Sequence, residues 1–133
     1  MSVHLDHILV PCKNRVAAAK QIGELLGVPW AQNGGAGPFS PVYVDEGLTL
    51  DFDEWVEPFQ PIHYAFRVDD AAFDEILTRL KAAGIPFRSH VHGTSDNQVG
   101  TLDGGRLVYW NVPDGHQWEI LTKSYARNPD STT

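Results

Sequence analysis

A single cysteine in 133 residues, Cys12, excludes an internal disulfide framework. It has no neighbouring base in sequence and reads as a packed thiol rather than a nucleophile. Basic residues are also scarce, with ten Lys and Arg against seventeen Asp and Glu, a formal net charge of −7. No basic run interrupts that imbalance, so a phosphate backbone would be repelled and nucleic acid is not an expected partner. Apolar runs stop after a few residues, far short of the ~20 needed to cross a bilayer. Met1 to His4 carry neither the basic stretch nor the apolar core of a signal peptide. A cytoplasmic protein that avoids membranes is the expectation, and sparse cysteine suits a reducing compartment.

What the chain does have is order. With 42% hydrophobic residues it can build one real core, and it is too short for two independent domains. Val3 to Val10 is apolar and β-branched, as a strand is. Asn14 can cap the helix that follows, in which Ala18, Ile22, Leu25 and Leu26 recur at helical spacing before Gly27. The same sentence is written again further on. Ile62 to Val68 is strand-like, Asp69 or Asp70 can cap, and Phe73, Ile76, Leu77 and Leu80 form an apolar stripe before Gly84. Gly27-Val28-Pro29-Trp30 answers Gly84-Ile85-Pro86-Phe87, and a histidine precedes each glycine, His7 by 20 positions and His63 by 21.

Each half then continues with strand pairs: Pro41 to Asp45 with Leu48 to Phe52, and Leu107 to Val112 with Trp118 to Thr122. Asp45-Glu46-Gly47 and Pro113-Asp114-Gly115 supply the turns between them. The expected fold is therefore α+β, two tandem βαβββ modules forming a curved mixed sheet, a half-barrel. The modules cover about residues 3–56 and 60–123 of a single domain, with a polar, frayed tail over 124–133.

Side chains alternate along a strand, so parity sorts them by face. Tyr64, Phe66 and Val68 suit the underside of a helix, which sends His63 and Arg67 to the opposite, inner face. Trp118 and Ile120 do the same and leave Glu119 inward. Leu48, Leu50 and Phe52 leave Thr49 and Asp51 inward. His7 takes its place from the repeat, as the counterpart of His63. Two imidazoles and a carboxylate on one inner surface make a divalent metal site with open positions. His7, His63 and Glu119 are the expected ligands. Thr49 and Arg67 are candidates for substrate binding. Tyr109 is a candidate to present its hydroxyl to a substrate oxygen.

The stretches His7-Ile8-Leu9-Val10, His63-Tyr64-Ala65-Phe66-Arg67-Val68 and Val112-Pro113-Asp114-Gly115-His116-Gln117-Trp118-Glu119-Ile120 resemble the vicinal oxygen chelate superfamily over about residues 3–123. That superfamily takes in glyoxalase I, fosfomycin-resistance transferases, extradiol dioxygenases and bleomycin-resistance binders. His63-Tyr64-Ala65-Phe66, and Tyr109 followed by Pro113-Asp114-Gly115-His116, most resemble the fosfomycin-resistance thiol transferases. Leu9 departs from them, since they carry a hydroxyl residue there. The resemblance implies a glyoxalase-like fold and a divalent ion (Zn, Ni, Mn or Fe), and, since glyoxalase I takes a fourth ligand from the corresponding strand, Asp51 as a candidate fourth ligand or general base. It implies a small-molecule substrate with adjacent oxygens and a homodimer in which both chains can contribute to a site. Arg127 is similar in position to a substrate-anion arginine of the transferases.

The leading expectation is a metal-dependent lyase, isomerase or transferase. A metal-free drug- or metabolite-binding resistance protein and an extradiol-type dioxygenase are the alternatives. Of the remaining histidines, His4 points away from His7 and His116 is expected to be exposed in a turn. His90 and His92 share a face of a surface strand. Gly34-Gly35-Ala36-Gly37 lacks the following Lys-Ser/Thr of a phosphate loop and reads as an edge of the cup. Val28 to Trp30 and Ile85 to Phe87 are candidate interface residues.

Overall fold

Asn14 and Asp69 start the two helices. Asn14 Oδ1 accepts the Ala17 N–H at 3.0 Å and Asp69 Oδ1 accepts that of Ala72 at 2.8 Å. Each satisfies a donor that a first helical turn leaves without a partner. In this computed structural model, which describes residues 2–127, the contacts gather into two units, Met1–Gln60 and Pro61–Thr133. The elements of the first are β1 (His7–Cys12), α1 (Arg15–Leu26), β2 (Phe39–Tyr43) and β3 (Thr49–Glu54). Those of the second are β4 (His63–Arg67), α2 (Asp70–Ala82), β5 (Gly100–Leu102), β6 (Gly105–Trp110) and β7 (Gln117–Leu121).

Helix α1 buries Ala18, Ala19, Ile22 and Leu25, and α2 buries Phe73, Ile76 and Leu80, the stripe that 3.6 residues per turn dictates. Gly23 is the close-approach point of α1: a Cβ there would lie 2.9 Å from the Trp30 side chain. Gly27 ends α1 with φ 74°, a left-handed conformation that an L side chain resists. Arg106 on β6 ties α2 to its sheet. It donates to Asp74 at 2.8 Å and Asp70 at 3.0 Å, and its guanidinium lies 4.3 Å from the Phe73 ring centre.

The repeat is carried by hydrogen bonds as well as by residue order. In the first sheet β1 runs parallel to β3 and β3 antiparallel to β2, giving the order β1-β3-β2. In the second, β4 runs parallel to β7, with β6 and then β5 antiparallel beyond it, giving β4-β7-β6-β5. Register repeats too: His7 sits opposite Thr49 and Leu9 opposite Asp51, while His63 sits opposite Gln117 and Ala65 opposite Glu119. The stretches after each helix contract to single bridges, Trp30 to Val42 and Arg88 to Tyr109. Both units thus keep the α+β module, each with its own mixed sheet, and neither sheet closes into a barrel.

Four expectations change. The first strand begins at His7, not Val3, and continues through Pro11 to Cys12. β1 is an edge strand, where a residue without an N–H can be tolerated. His116 is fully buried rather than exposed. Its Nδ1 accepts the Ile62 N–H at 3.0 Å, and its ring meets Tyr64 and Trp118 edge-on. His90 and His92 lie in exposed bends instead of a strand. Ile85 and Phe87 are 8% and 3% exposed, so they serve the core of their own unit and offer no interface area.

Candidate functional site

Strand β7 places Trp118 and Ile120 on the face opposite Glu119, yet Glu119 is also 0% exposed. A buried carboxylate is expensive unless partners hold its charge. His63 Nε2, from β4, lies 2.8 Å from Glu119 Oε1. The Tyr125 hydroxyl donates to the same oxygen at 2.7 Å. Tyr109, directly opposite Glu119 across the β6–β7 pair, joins the hydrogen-bonded set, and its ring centre is 6.0 Å from that of His63. Burial, and after it the Glu119 hydrogen bond, push the Tyr125 phenol well above its ordinary pKa, and burial also raises Tyr109. Both therefore stay protonated donors at neutral pH. The second oxygen, Oε2, is buried with no hydrogen-bond partner among the described residues. An orphan of that kind costs about 1–3 kcal/mol, more when charged, unless something occupies it.

The first unit carries a matching arrangement with a different degree of burial. Thr49 and Asp51 share a face of β3 and are half-buried, while Leu50 and Phe52 point to the core. His7 lies beside Thr49, with 57% of its side chain exposed. Its Nδ1 is 2.8 Å from Asp6 Oδ2, and that contact raises the imidazole pKa above its ordinary value. His7, Thr49 and Asp51 line a cavity of about 320 Å³, walled by Phe39, Pro41 and Tyr43 of β2 and by Gly34 to Ala36. Arg15 ties down both ends of that glycine loop, donating to Gln32 O at 2.7 Å, Asn33 Oδ1 at 3.1 Å and Ser40 Oγ at 2.9 Å.

Among the expected residues, His63, Glu119 and Tyr109 are brought together in one unit, and His7, Thr49 and Asp51 in the other. Arg67 is exposed on the His63 face of β4, and Arg127 is exposed in the turn beyond β7. No group of three His, Cys, Asp or Glu side chains suited to an ion is gathered among the described residues. The donor chemistry fits a divalent ion nonetheless, through an imidazole beside a fully buried carboxylate with one unmet oxygen.

Tyr125 escaped the sequence reading because it stands in the stretch read as a polar tail. The one available signal was an aromatic residue in otherwise polar company. It packs against Leu107, Tyr109 and Leu121; the remainder of the tail, 128–133, lies outside the described residues. Removing only its hydroxyl, in Tyr125→Phe, is expected to weaken divalent-metal binding on the order of 10-fold and to cost the metal-free protein about 1–3 kcal/mol of stability. Calorimetric titration of zinc checks this, and an unchanged affinity would count against a role for the hydroxyl.

No family model and no curated protein matches the chain. Solved structures do. The chain is similar to "Oxidase ChaP-H1", with 40% identity over 95% of this chain and 100% of that one, at TM-score 0.85. It is also similar to "Oxidase ChaP-H2", with 34% identity over 94% and 97%, at TM-score 0.86. The fosfomycin resistance protein FosX from Mesorhizobium loti shares the fold at 19% identity, TM-score 0.66 and coverage of 95% and 97%.

Proposed function

We propose, for a chain that belongs to the vicinal oxygen chelate superfamily and to the family of these two oxidases, a metal-dependent enzyme that oxidises a small molecule bearing adjacent oxygens. The observation that carries the reading is Glu119, wholly buried beside His63 with one oxygen unmet. A metal-free binding protein has no need of such a group. His63 and Glu119 would hold the ion together with His7. When bound, the ion acts as a Lewis acid toward neighbouring substrate oxygens, and two His with one carboxylate is a set that suits Fe(II).

The chain's own residues take the remaining roles. Tyr109, kept protonated by burial, would donate its hydroxyl hydrogen bond to a substrate oxygen. Asp51, half-buried and in register with Leu9, would accept a proton or serve as a further ligand. Thr49 would orient the substrate. Phe39, Pro41 and Tyr43 would cover its apolar part. Arg67 and Arg127, both exposed, would meet a charged group at the rim. Identity of 34–40% with two oxidases favours oxidation over the lyase, isomerase or transferase reading, which the same centre could also support.

Anaerobic reconstitution with Fe(II), Mn, Ni or Zn, followed by metal analysis and oxygen-uptake assays with catechols, tests the proposal. About one ion per chain and Fe-dependent oxygen uptake are expected. Turnover without oxygen uptake moves the reading to lyase or transferase chemistry, and failure to retain any divalent ion overturns it. A homodimer is part of the proposal. Among the described residues no strand of its sheet pairs with the outer edge of β1, and Leu5 and Leu9 stand 64% and 44% exposed beside His7. Light scattering that returns 14.7 kDa, the mass of one chain, would refute it.

Among the described residues no helix is long and apolar enough to cross a membrane.

A further inference from the structure

Arg88 is only 6% exposed, and among the described residues it meets no carboxylate. Its guanidinium donates to Asn111 Oδ1 and, at 3.0 Å, to the Val91 carbonyl, while Nε is buried without a partner. Other arginines of this unit are better matched: Arg106 holds two aspartates and Arg79 pairs with Glu75. Acids outnumber bases seventeen to ten in the chain, yet this buried cation is left among neutral groups within the described residues. A buried charge paired only with neutral acceptors is costly unless a counter-charge arrives.

The register shows where such a counter-charge would sit. Tyr109 bridges to Arg88 on one side and pairs with Glu119 on the other. Directly opposed residues in antiparallel strands share a face, so Arg88, Tyr109 and Glu119 form one row across the second sheet. The guanidinium carbon lies 5.7 Å from the Tyr109 ring centre, and Glu119 stands one strand further along, about 5 Å on.

We propose that Arg88 makes this half-site selective for an oxyanion, so that the substrate binds as a carboxylate or an ionised enol or phenol. The inference rests on the metal-centre reading above. Once an ion takes up the charge of Glu119, the Arg88 charge is left in excess and an anionic oxygen ligand is the group that offsets it. Because Asn111 and Val91 hold the guanidinium in place, it acts as a fixed field rather than as a side chain that swings to meet the ligand.

Oxalate and oxamate are planar vicinal-oxygen probes of nearly the same shape that differ by one negative charge. Calorimetric titration of each into the metal-loaded protein, with metal content measured afterwards, tests the proposal. Wild type is expected to prefer oxalate by about 10-fold or more. Arg88→Gln should reduce that preference below roughly 3-fold with the ion retained, and Arg88→Lys should keep most of it. Asn111→Asp should lower it as Arg88→Gln does, because it gives the guanidinium the carboxylate it lacks; it decides the matter if Arg88→Gln fails to fold. A preference left intact in Asn111→Asp and in any folded Arg88→Gln, with metal still bound, overturns the role of Arg88 alone. A wild type that takes up no ion overturns the metal centre and this inference with it.

Discussion

Glu119→Gln is expected to lower divalent-metal affinity on the order of 100-fold or more, beyond the 10- to 100-fold typical of removing a group that merely supports a ligand. The substitution keeps the side chain's shape and removes its charge. His63 then faces an amide instead of a carboxylate, and Tyr125 loses its charge-assisted acceptor at 2.7 Å. The protein itself should not suffer. A neutral amide in a buried place avoids the cost of an unmet charged oxygen, so thermal stability without metal should be equal to or higher than that of wild type. That pairing, weaker metal and an undamaged fold, is what separates a ligand from a structural acid. Metal analysis after dialysis, read beside a melting curve, checks both halves. Equal metal content in Glu119→Gln and wild type would remove the main support for the centre.

Trp118→Ala should produce the largest loss of stability, about 3–5 kcal/mol as for other buried aromatic truncations. Trp118 is 0% exposed, stacks on Tyr64 at 4.7 Å and on Phe66 at 6.3 Å, and meets His116 edge-on. Its Nε1 donates to the Pro113 carbonyl at 3.3 Å, so truncation also leaves that acceptor unmet. Typical domains have only about 5–15 kcal/mol in hand, and a fall in melting temperature of roughly 10–20 °C follows. Because Glu119 is the next residue, metal binding should weaken as well, through lost order in β7. Urea melts of the metal-free protein measure the stability term alone, and a loss under about 1 kcal/mol would show that the aromatic stack is not a main support of the second unit.

The repeat was the most legible feature of the sequence. Two helices with polar caps, glycine exits and matched histidine spacing predict two like modules, and the strand registers bear that out residue for residue. Parity alone assigned Tyr64, Trp118, Leu50 and Phe52 to buried positions, because period-2 alternation survives in any half-buried strand. Single-residue burial was harder to read. His116 looked like a solvent residue because it follows a tight turn, but its ring fills the gap beside Trp118 and caps the Ile62 N–H. Tyr125 lay past the last periodic element, where no pattern marks a side chain that folds back six residues onto Glu119. Arg88 carried no signal either, since its role depends on a bridge to Tyr109 made 21 residues later in the chain.

The equivalence of Asp51 and Glu119, each two residues beyond the partner of a histidine, places one carboxylate at the same node of both modules. One methylene and a change of surroundings distinguish them. Glu119 is sealed from water behind His63 and Tyr125. Asp51 is half-buried beside an open cavity that His7 and Thr49 also line, so a small molecule can reach it from solvent. One backbone plan thus presents a carboxylate at the same node twice, once shut away from solvent and once at its edge, with no change in strand register.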